Sequence, residues 1–295
     1  MSKLKGKSPE LVKPGKIKAV LYGPSGVGKT TLALSFPSPY YFDVEGGAKG
    51  EQYRKLLKDA GGAYLGPEDG TLSFDFLIDQ MQALATEKHG YKTLIIDSLT
   101  KLFQTAVANE NERILAAGKK DEFGASKKPA VAAMRRVVNW ASKLDLNIWF
   151  VCHETAKWVE INGERAQQGT QEDAWEKLRY ELDLCVSATK RGPQRLAKVE
   201  KSRLLGFPEG DTFPLAYAEF AARHGKEIVE ATAETIVLAK PDQINEVHKL
   251  LDLVKGITPE TIDKWFTAAG ATKWEELSEK QIDGVITHLK KKLSV

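Results

Sequence analysis

The octapeptide Gly23-Pro24-Ser25-Gly26-Val27-Gly28-Lys29-Thr30 constrains this chain more than any other stretch. It meets the pattern G-x-x-x-x-G-K-[S/T] in full. The apolar run Ile17–Tyr22 reads as a buried strand before it, and Lys29–Ser35 reads as a helix ended by Pro37 and Pro39. In that setting glycines let the loop curl, so that successive backbone N–H groups point into one concavity at a helix N-terminus. Residues 23–31, Thr31 included, are therefore expected to cradle nucleotide phosphates. Lys29 should reach the β- and γ-phosphates of ATP, and the Thr30 hydroxyl should ligate Mg2+. The run Leu94-Ile95-Ile96-Asp97 supplies the partner, because a carboxylate ending an apolar strand can hold the same magnesium.

Strand-like runs alternate with helical ones over most of the chain. Tyr40–Val44, Thr93–Ile96, Ile148–Cys152 and Leu184–Ala188 read as strands, and Phe74–Lys88 and Ala130–Leu144 as helices. This order predicts an α/β fold with a mostly parallel sheet flanked by helices and the ligand at the strands' carboxyl ends. A hairpin through Arg191-Gly192-Pro193 predicts an antiparallel extension at one edge. From Pro241 onward only helical signals remain. The expected division is a basic arm over residues 1–16, an ATPase core over 17–232, a linker over 233–240 and a three-helix appendage over 241–295.

Composition excludes some classes. With 42% hydrophobic and 28% charged residues the chain reads as soluble and globular, and a net charge of +3 implies no acidic partner without local clustering. Five lysines precede Ile17 without an apolar core, so no secretory signal is expected, and no run approaches a membrane span. Cys152 and Cys185 each sit in an apolar run and make no metal-ligand spacing. An intracellular, cytoplasmic protein is expected.

The segment Asp43-Val44-Glu45 ends the strand that follows the phosphate-loop helix. Alternation along a strand would put Asp43 and Glu45 on one side. Glu45 could then orient or deprotonate an attacking water, or it could be one carboxylate of a solvated acidic turn. Taken in order, the phosphate loop, FDVEGG, LIIDSL and WFVCHE resemble the core of RecA-type recombinases over roughly residues 15–230. The compact layout is similar to the phage-encoded RecA-like, AAA-like nucleotide-binding proteins grouped with single-strand annealing proteins (Sak-type). That resemblance implies a RecA-like core, Glu45 as the catalytic glutamate and Asp97 as the magnesium aspartate. It also puts His153 where the family carries a glutamine or asparagine that contacts the γ-phosphate. A strand-end histidine with a purely structural role is the other reading.

The same resemblance places two DNA-binding loops, after the Asp97 strand and after the His153 strand. Polar stretches stand at both places and are expected to be mobile surface loops. Residues 110–129 hold Arg113, Lys119, Lys120, Lys127 and Lys128, and residues 157–173 hold Lys157, Trp158 and Arg165. Such cations neutralise phosphates without reading sequence, and Trp158 could stack on a base. Acidic neighbours allow the alternative of two solvated loops. Val199-Glu200-Lys201-Ser202-Arg203 resembles the K-x-R element that family members extend into a neighbour's ATP site, which implies Lys201 and Arg203 as fingers acting in trans and a homo-oligomeric ring or filament. A basic edge hairpin that discourages aggregation would look the same.

The function these expectations favour is an oligomeric ATPase that binds single-stranded DNA in recombination or annealing, with hydrolysis stimulated by DNA. A single-stranded-DNA-binding protein is a further candidate partner. A non-hydrolysing, ATP-switched DNA-binding module and a P-loop small-molecule kinase are the alternatives.

Overall fold

The computed structural model describes Gly6, Ser8, residues 14–161 and residues 163–293, so the basic arm expected over 1–16 lies largely outside the described residues. The elements in chain order are β1 (Lys18–Tyr22), α1 (Lys29–Leu34), β2 (Pro39–Asp43), α2 (Glu51–Asp59), β3 (Ala63–Leu65), α3 (Phe74–Thr86) and β4 (Thr93–Asp97). Then come α4 (Leu99–Ala116), α5 (Lys127–Lys143), β5 (Asn147–Cys152), β6 (Glu154–Ile161), β7 (Glu164–Glu172) and α6 (Leu178–Glu181). The rest are β8 (Leu184–Arg191), β9 (Gln194–Ser202), β10 (Thr212–Pro214), α7 (Tyr217–His224), α8 (Lys226–Glu230), α9 (Pro241–Leu253), α10 (Pro259–Ala269) and α11 (Glu279–Leu293).

The chain divides into two compact units: residues 1–66, 90–100 and 145–233 form the first, and residues 67–89, 101–144 and 234–295 the second. The first unit holds an eight-stranded sheet in the order β10-β9-β8-β1-β5-β4-β2-β3. All pairings from β8 to β3 are parallel, and β8–β9 and β9–β10 are antiparallel. The fold is thus α/β with the mostly parallel sheet and antiparallel edge that the strand pattern predicts.

Parallel strands bury both faces, so they read as unbroken apolar runs rather than alternating ones. Val20, Leu94, Ile96, Ile148 and Phe150 on one face are as fully buried as Ala19, Leu21, Ile95, Trp149 and Val151 on the other. The second set packs with Leu32, Leu34, Phe36, Phe207, Phe213 and Phe220 in one core. Phe36, Trp149 and Phe220 meet edge to face there, with centroids 5.0 to 6.0 Å apart. Both cysteines are buried and free, and burial pushes both thiols up.

In the second unit α9, α10 and α11 close on Val247, Trp274, Leu277, Ile282 and Leu289. Proline at the first turn of both α9 and α10 starts these helices where its missing N–H costs nothing. Arg136 of α5 donates to the buried Glu276 carboxylate at 2.8 Å, and Thr272 donates to it through N–H and hydroxyl. Among the described residues no helix is long and apolar enough to cross a membrane.

Two expectations need correction. Residues 110–129 do not form one loop: α4 runs on to Ala116 and α5 already begins at Lys127. Apolar side chains at Phe103, Val107 and Ile114 keep a helical period beneath the polar composition, and the Glu110–Arg113 pair joins successive turns. Residues 157–173 do not form a loop either, because β6 and β7 pair antiparallel as a two-stranded ribbon. Alternation of Thr155, Lys157 and Val159 with Ala156, Trp158 and Glu160 carries a strand of mixed polarity that composition hides.

Candidate functional site

Strands β1, β2, β4 and β5 end at the same edge of the sheet, and β5 lies between β1 and β4. The loops that leave those ends converge on one cavity of about 580 Å³. It is lined by Gly23, Pro24, Ser25, Gly26, Gly28, Lys29 and Thr30 of the phosphate loop and by Tyr41, Glu45, Gly47, Tyr53, Asp97, His153 and Glu154, whereas Val27 turns into the core and Thr31 is not part of the lining.

Glycine is required at the loop's entry. Gly23 has φ +148, and a β-carbon there would sit 2.4 Å from the Ala188 carbonyl oxygen. Gly28, at φ +103, is the N-cap of α1. A β-carbon on it would lie 3.1 Å from a guanidinium nitrogen of Arg195, so this β9 cation covers the loop where the helix starts. The side chain of Lys29 folds back over the loop and donates to the carbonyls of Gly23 and Pro24 at 2.7 and 3.0 Å. Burial pulls its ammonium below the usual lysine range, which favours an anionic partner for it.

Thr30 donates its hydroxyl to Asp97 at 2.5 Å, and the Tyr41 hydroxyl approaches the same carboxylate oxygen at 3.4 Å. Burial pushes the Asp97 carboxyl up to about 6; the Thr30 hydrogen bond pulls it down, and Glu45 and Asp43 push it further up. A hydroxyl and a carboxylate, both hard oxygen donors, suit magnesium, which takes one or two protein oxygens and completes its shell with phosphate and water. The donor set therefore fits the ion. Among the described residues no cluster of three or more His, Cys, Asp or Glu side chains forms a separate metal cage.

Asp43 and Glu45 do not work side by side, as strand alternation suggested, because β2 ends at Asp43. The Asp43 carboxylate turns inward and accepts from the N–H groups of Glu45, Gly46, Gly47 and Ala48 at 2.7 to 3.1 Å. Four orphan donors of a sharp turn are satisfied by one buried carboxylate. Asp43 thus builds the turn, and the turn presents Glu45 to the cavity. Glu45 Oε1 accepts from the Ser98 hydroxyl and lies 2.8 Å from His153 Nε2. Both side chains stay solvent-accessible, at 40% for Glu45 and 50% for His153.

His153 sits at a latch between the cavity and the β6–β7 ribbon. Its N–H donates to the Thr100 hydroxyl at 2.9 Å, that hydroxyl donates to the Asp173 carbonyl at 2.6 Å, and the Asp173 N–H donates to the His153 carbonyl at 2.9 Å. One residue on, Glu154 lines the cavity and begins β6. Tyr22, the last residue of β1, reaches the ribbon through a hydroxyl bond of 3.3 Å to the Thr170 carbonyl.

The structure gathers Gly23, Pro24, Ser25, Gly26, Gly28, Lys29, Thr30, Asp97, Glu45 and His153 around one cavity and does not gather the candidate fingers and DNA-binding residues there. Lys201 donates to the Leu182 carbonyl and Arg203 to the Tyr180 carbonyl of the same chain. Arg113 lies on α4 and pairs with Glu110, with two bonds of 2.7 Å. Lys119 and Lys120 occupy the short connection between α4 and α5, and Lys127 and Lys128 form the first turn of α5. On the ribbon, Lys157 and Trp158 belong to β6 and Arg165 to β7.

Sequence reasoning gave no role to Ser98, Tyr41, Arg195 or Phe123. Ser98 follows Asp97 directly and was visible as part of LIIDSL, but its partner Glu45 is distant in sequence. Phe123, at φ 54 and fully exposed in the connection that also holds Lys119 and Lys120, has no motif to mark it.

No curated protein matches the chain. Among solved structures it is similar to the RadB recombinase, with a TM-score of 0.42 and 19% identity, over 66% of this chain and 84% of that one. A family model described as AAA domain (AAA_24) matches residues 15–210, a span that begins before β1 and takes in the phosphate loop, Glu45, Asp97 and His153. The chain belongs to this family of AAA domains, and its phosphate loop is that of a nucleotide-binding P-loop protein.

Proposed function

We propose that this protein is an ATPase that couples Mg-ATP hydrolysis to the binding of single-stranded DNA, and that it acts as a homo-oligomer in recombination or annealing. The observation that carries the reading is the continuity of Glu45, His153 and the β6–β7 ribbon. One hydrogen bond of 2.8 Å links the cavity's exposed carboxylate to the residue from which the ribbon departs.

Lys29 leaves the Gly23 and Pro24 carbonyls to take phosphate oxygens. Thr30 and Asp97 would hold magnesium, which would neutralise phosphate charge. Glu45 orients the attacking water and accepts its proton, and Ser98 fixes the carboxylate in place. His153 either keeps its bond to Glu45 or turns its imidazole N–H to the γ-phosphate, and the Thr100–Asp173 latch passes the difference to the ribbon. The Trp158 side chain, 60% exposed between Lys157 and Val159, offers a stacking face beside a cation. Phe123 offers another in the connection that also holds Lys119 and Lys120. Lys127 and Lys128 stand at the positive end of the α5 dipole, a placement that an anion relieves. Arg113 and Arg165 add phosphate contacts of the same sequence-independent kind.

For self-association, Arg203 lies beside exposed Tyr180 and fully exposed Leu205, a composition typical of interface centres. Lys201 and Arg203 would leave their carbonyls for a neighbour's γ-phosphate. A ring or filament, the phage Sak-type affiliation, cytoplasmic action, a single-stranded-DNA-binding partner and the division at residues 17–232 and 241–295 remain parts of this proposal. A small-molecule kinase would have no use for a water-activating Glu45.

Anisotropy of a labelled thirty-nucleotide oligothymidine tests the coupling. ATP should tighten binding, and Glu45→Gln should hold the tight state because the nucleotide is no longer cleaved. Binding that ignores ATP in both proteins refutes the proposal.

A further inference from the structure

The three C-terminal helices carry a second concavity, far smaller in charge than the first. A groove of about 310 Å³ runs between α10 and α11, lined by Trp265, Ala268, Ala269, Leu277, Val285 and His288, with Gly284 as its floor. The α10 contributors are spaced i, i+3, i+4. On α11 the stripe Gln281, Gly284, Val285, His288 follows the same helical period, so both rows face one channel. Gly284 stands in the middle of a 15-residue helix, where glycine costs stability, and a β-carbon on it would meet no heavy atom within 4 Å. The glycine therefore keeps open a space that no side chain among the described residues fills.

The α11 stripe continues past His288 to Lys291 and Lys292. These two and His288 line an adjoining concavity of about 610 Å³ together with Lys255 and the exposed Leu253 and Leu293. One helix face thus changes from aliphatic to cationic at His288, whose ring packs against Trp265 at 5.6 Å between centroids. Apart from Trp265, which is half-buried and packs edge-on against His288, the walls are aliphatic and present no fully exposed ring for a base to stack on. They suit an apolar side chain inserted as an anchor, and the cationic end suits carboxylates beside it.

We infer that this face of α10 and α11 docks a partner peptide of acidic–apolar chemistry, its apolar anchor over Gly284 and its carboxylates on Lys255, Lys291 and Lys292. The surface owes nothing to the nucleotide cavity, and its occupancy does not depend on ATP hydrolysis. The test uses the full chain and a labelled twelve-residue peptide carrying four aspartates followed by leucine and two phenylalanines. Saturable anisotropy is expected with wild type. Gly284→Leu, which fills the groove, and the pair Lys291→Glu with Lys292→Glu should each weaken it at least tenfold. The labelled oligothymidine, run in parallel, should bind wild type and Gly284→Leu alike. Absence of saturable peptide binding overturns the inference, as does a charge-reversed pair that binds the peptide like wild type. A tenfold loss of oligothymidine binding in Gly284→Leu overturns it in favour of DNA. Should Gly284→Leu fail to fold, the charge-reversed pair, on exposed side chains, decides alone.

Discussion

The nucleotide cavity and the α10–α11 groove are both concave, but they are built from different materials. The cavity is made of backbone N–H groups and ionisable side chains held by strand ends, and its shape follows from glycines that leave no choice of conformation. The groove is made of small aliphatic side chains with Trp265 and His288 around one absent side chain, and its shape follows from helix spacing. A site of the first kind fixes chemistry and tolerates almost no substitution. A site of the second kind fixes only size and polarity, and it should tolerate change with little loss of stability.

That contrast predicts a graded series of effects. Lys29→Ala should be the most damaging, with nucleotide turnover falling roughly a hundred- to thousand-fold, the scale of removing a preorganised electrostatic donor. Steady-state kinetics with a fluorescent ADP sensor would measure it. A fall of less than tenfold would break the claim that the cavity works through fixed charge.

The buried Asp97 gives the next effect. Its folded-state value of about 6 lies above the unfolded 3.8, so the folded protein binds this proton more tightly. The contribution to stability is therefore fully present below pH 3.8 and is lost as pH rises through about 6. A difference of that size between the folded and unfolded carboxyl is worth about 3 kcal/mol at most. In EDTA, thermal midpoints should show this fall for wild type and not for Asp97→Asn. Parallel curves would contradict it.

Gly23→Ala should cost about 2 kcal/mol or more, through left-handed strain and the clash with the Ala188 carbonyl. Urea denaturation would read it. At the other end of the scale Gly284→Ala should stabilise by about 1 kcal/mol, since an exposed helix-interior glycine is replaced where there is room. If Gly284→Ala instead destabilised the protein, the groove would be a packed joint rather than open space.

The same contrast explains what could be read from the chain. The placement of the phosphate loop, Asp97 and Glu45 at strand ends around one cavity was legible because each follows an apolar run closely in sequence. Asp43 was misread because its role depends on a turn that bends four N–H groups back onto it, which periodicity does not reveal. The segments at 110–129 and 157–173 looked alike in composition, yet the first is two helix ends and the second a ribbon. Charge hid both the 3.6-residue period of α4 and the two-residue period of β6. Strand β3, helix α2 and the short α7 and α8 escaped notice as well, being brief and half-exposed. Arg195 over Gly28 and Glu276 beneath Arg136 depend on contacts between residues far apart in sequence, and no local pattern marks them.

The central claim is that Glu45 activates water and that DNA on the ribbon is felt at Glu45. ATP hydrolysis with and without single-stranded DNA, measured for wild type beside Glu45→Gln, addresses it most directly. The account predicts turnover that rises with DNA in wild type and falls at least a hundredfold in Glu45→Gln, whether or not DNA is present. Turnover indifferent to DNA, or undiminished by Glu45→Gln, would contradict it.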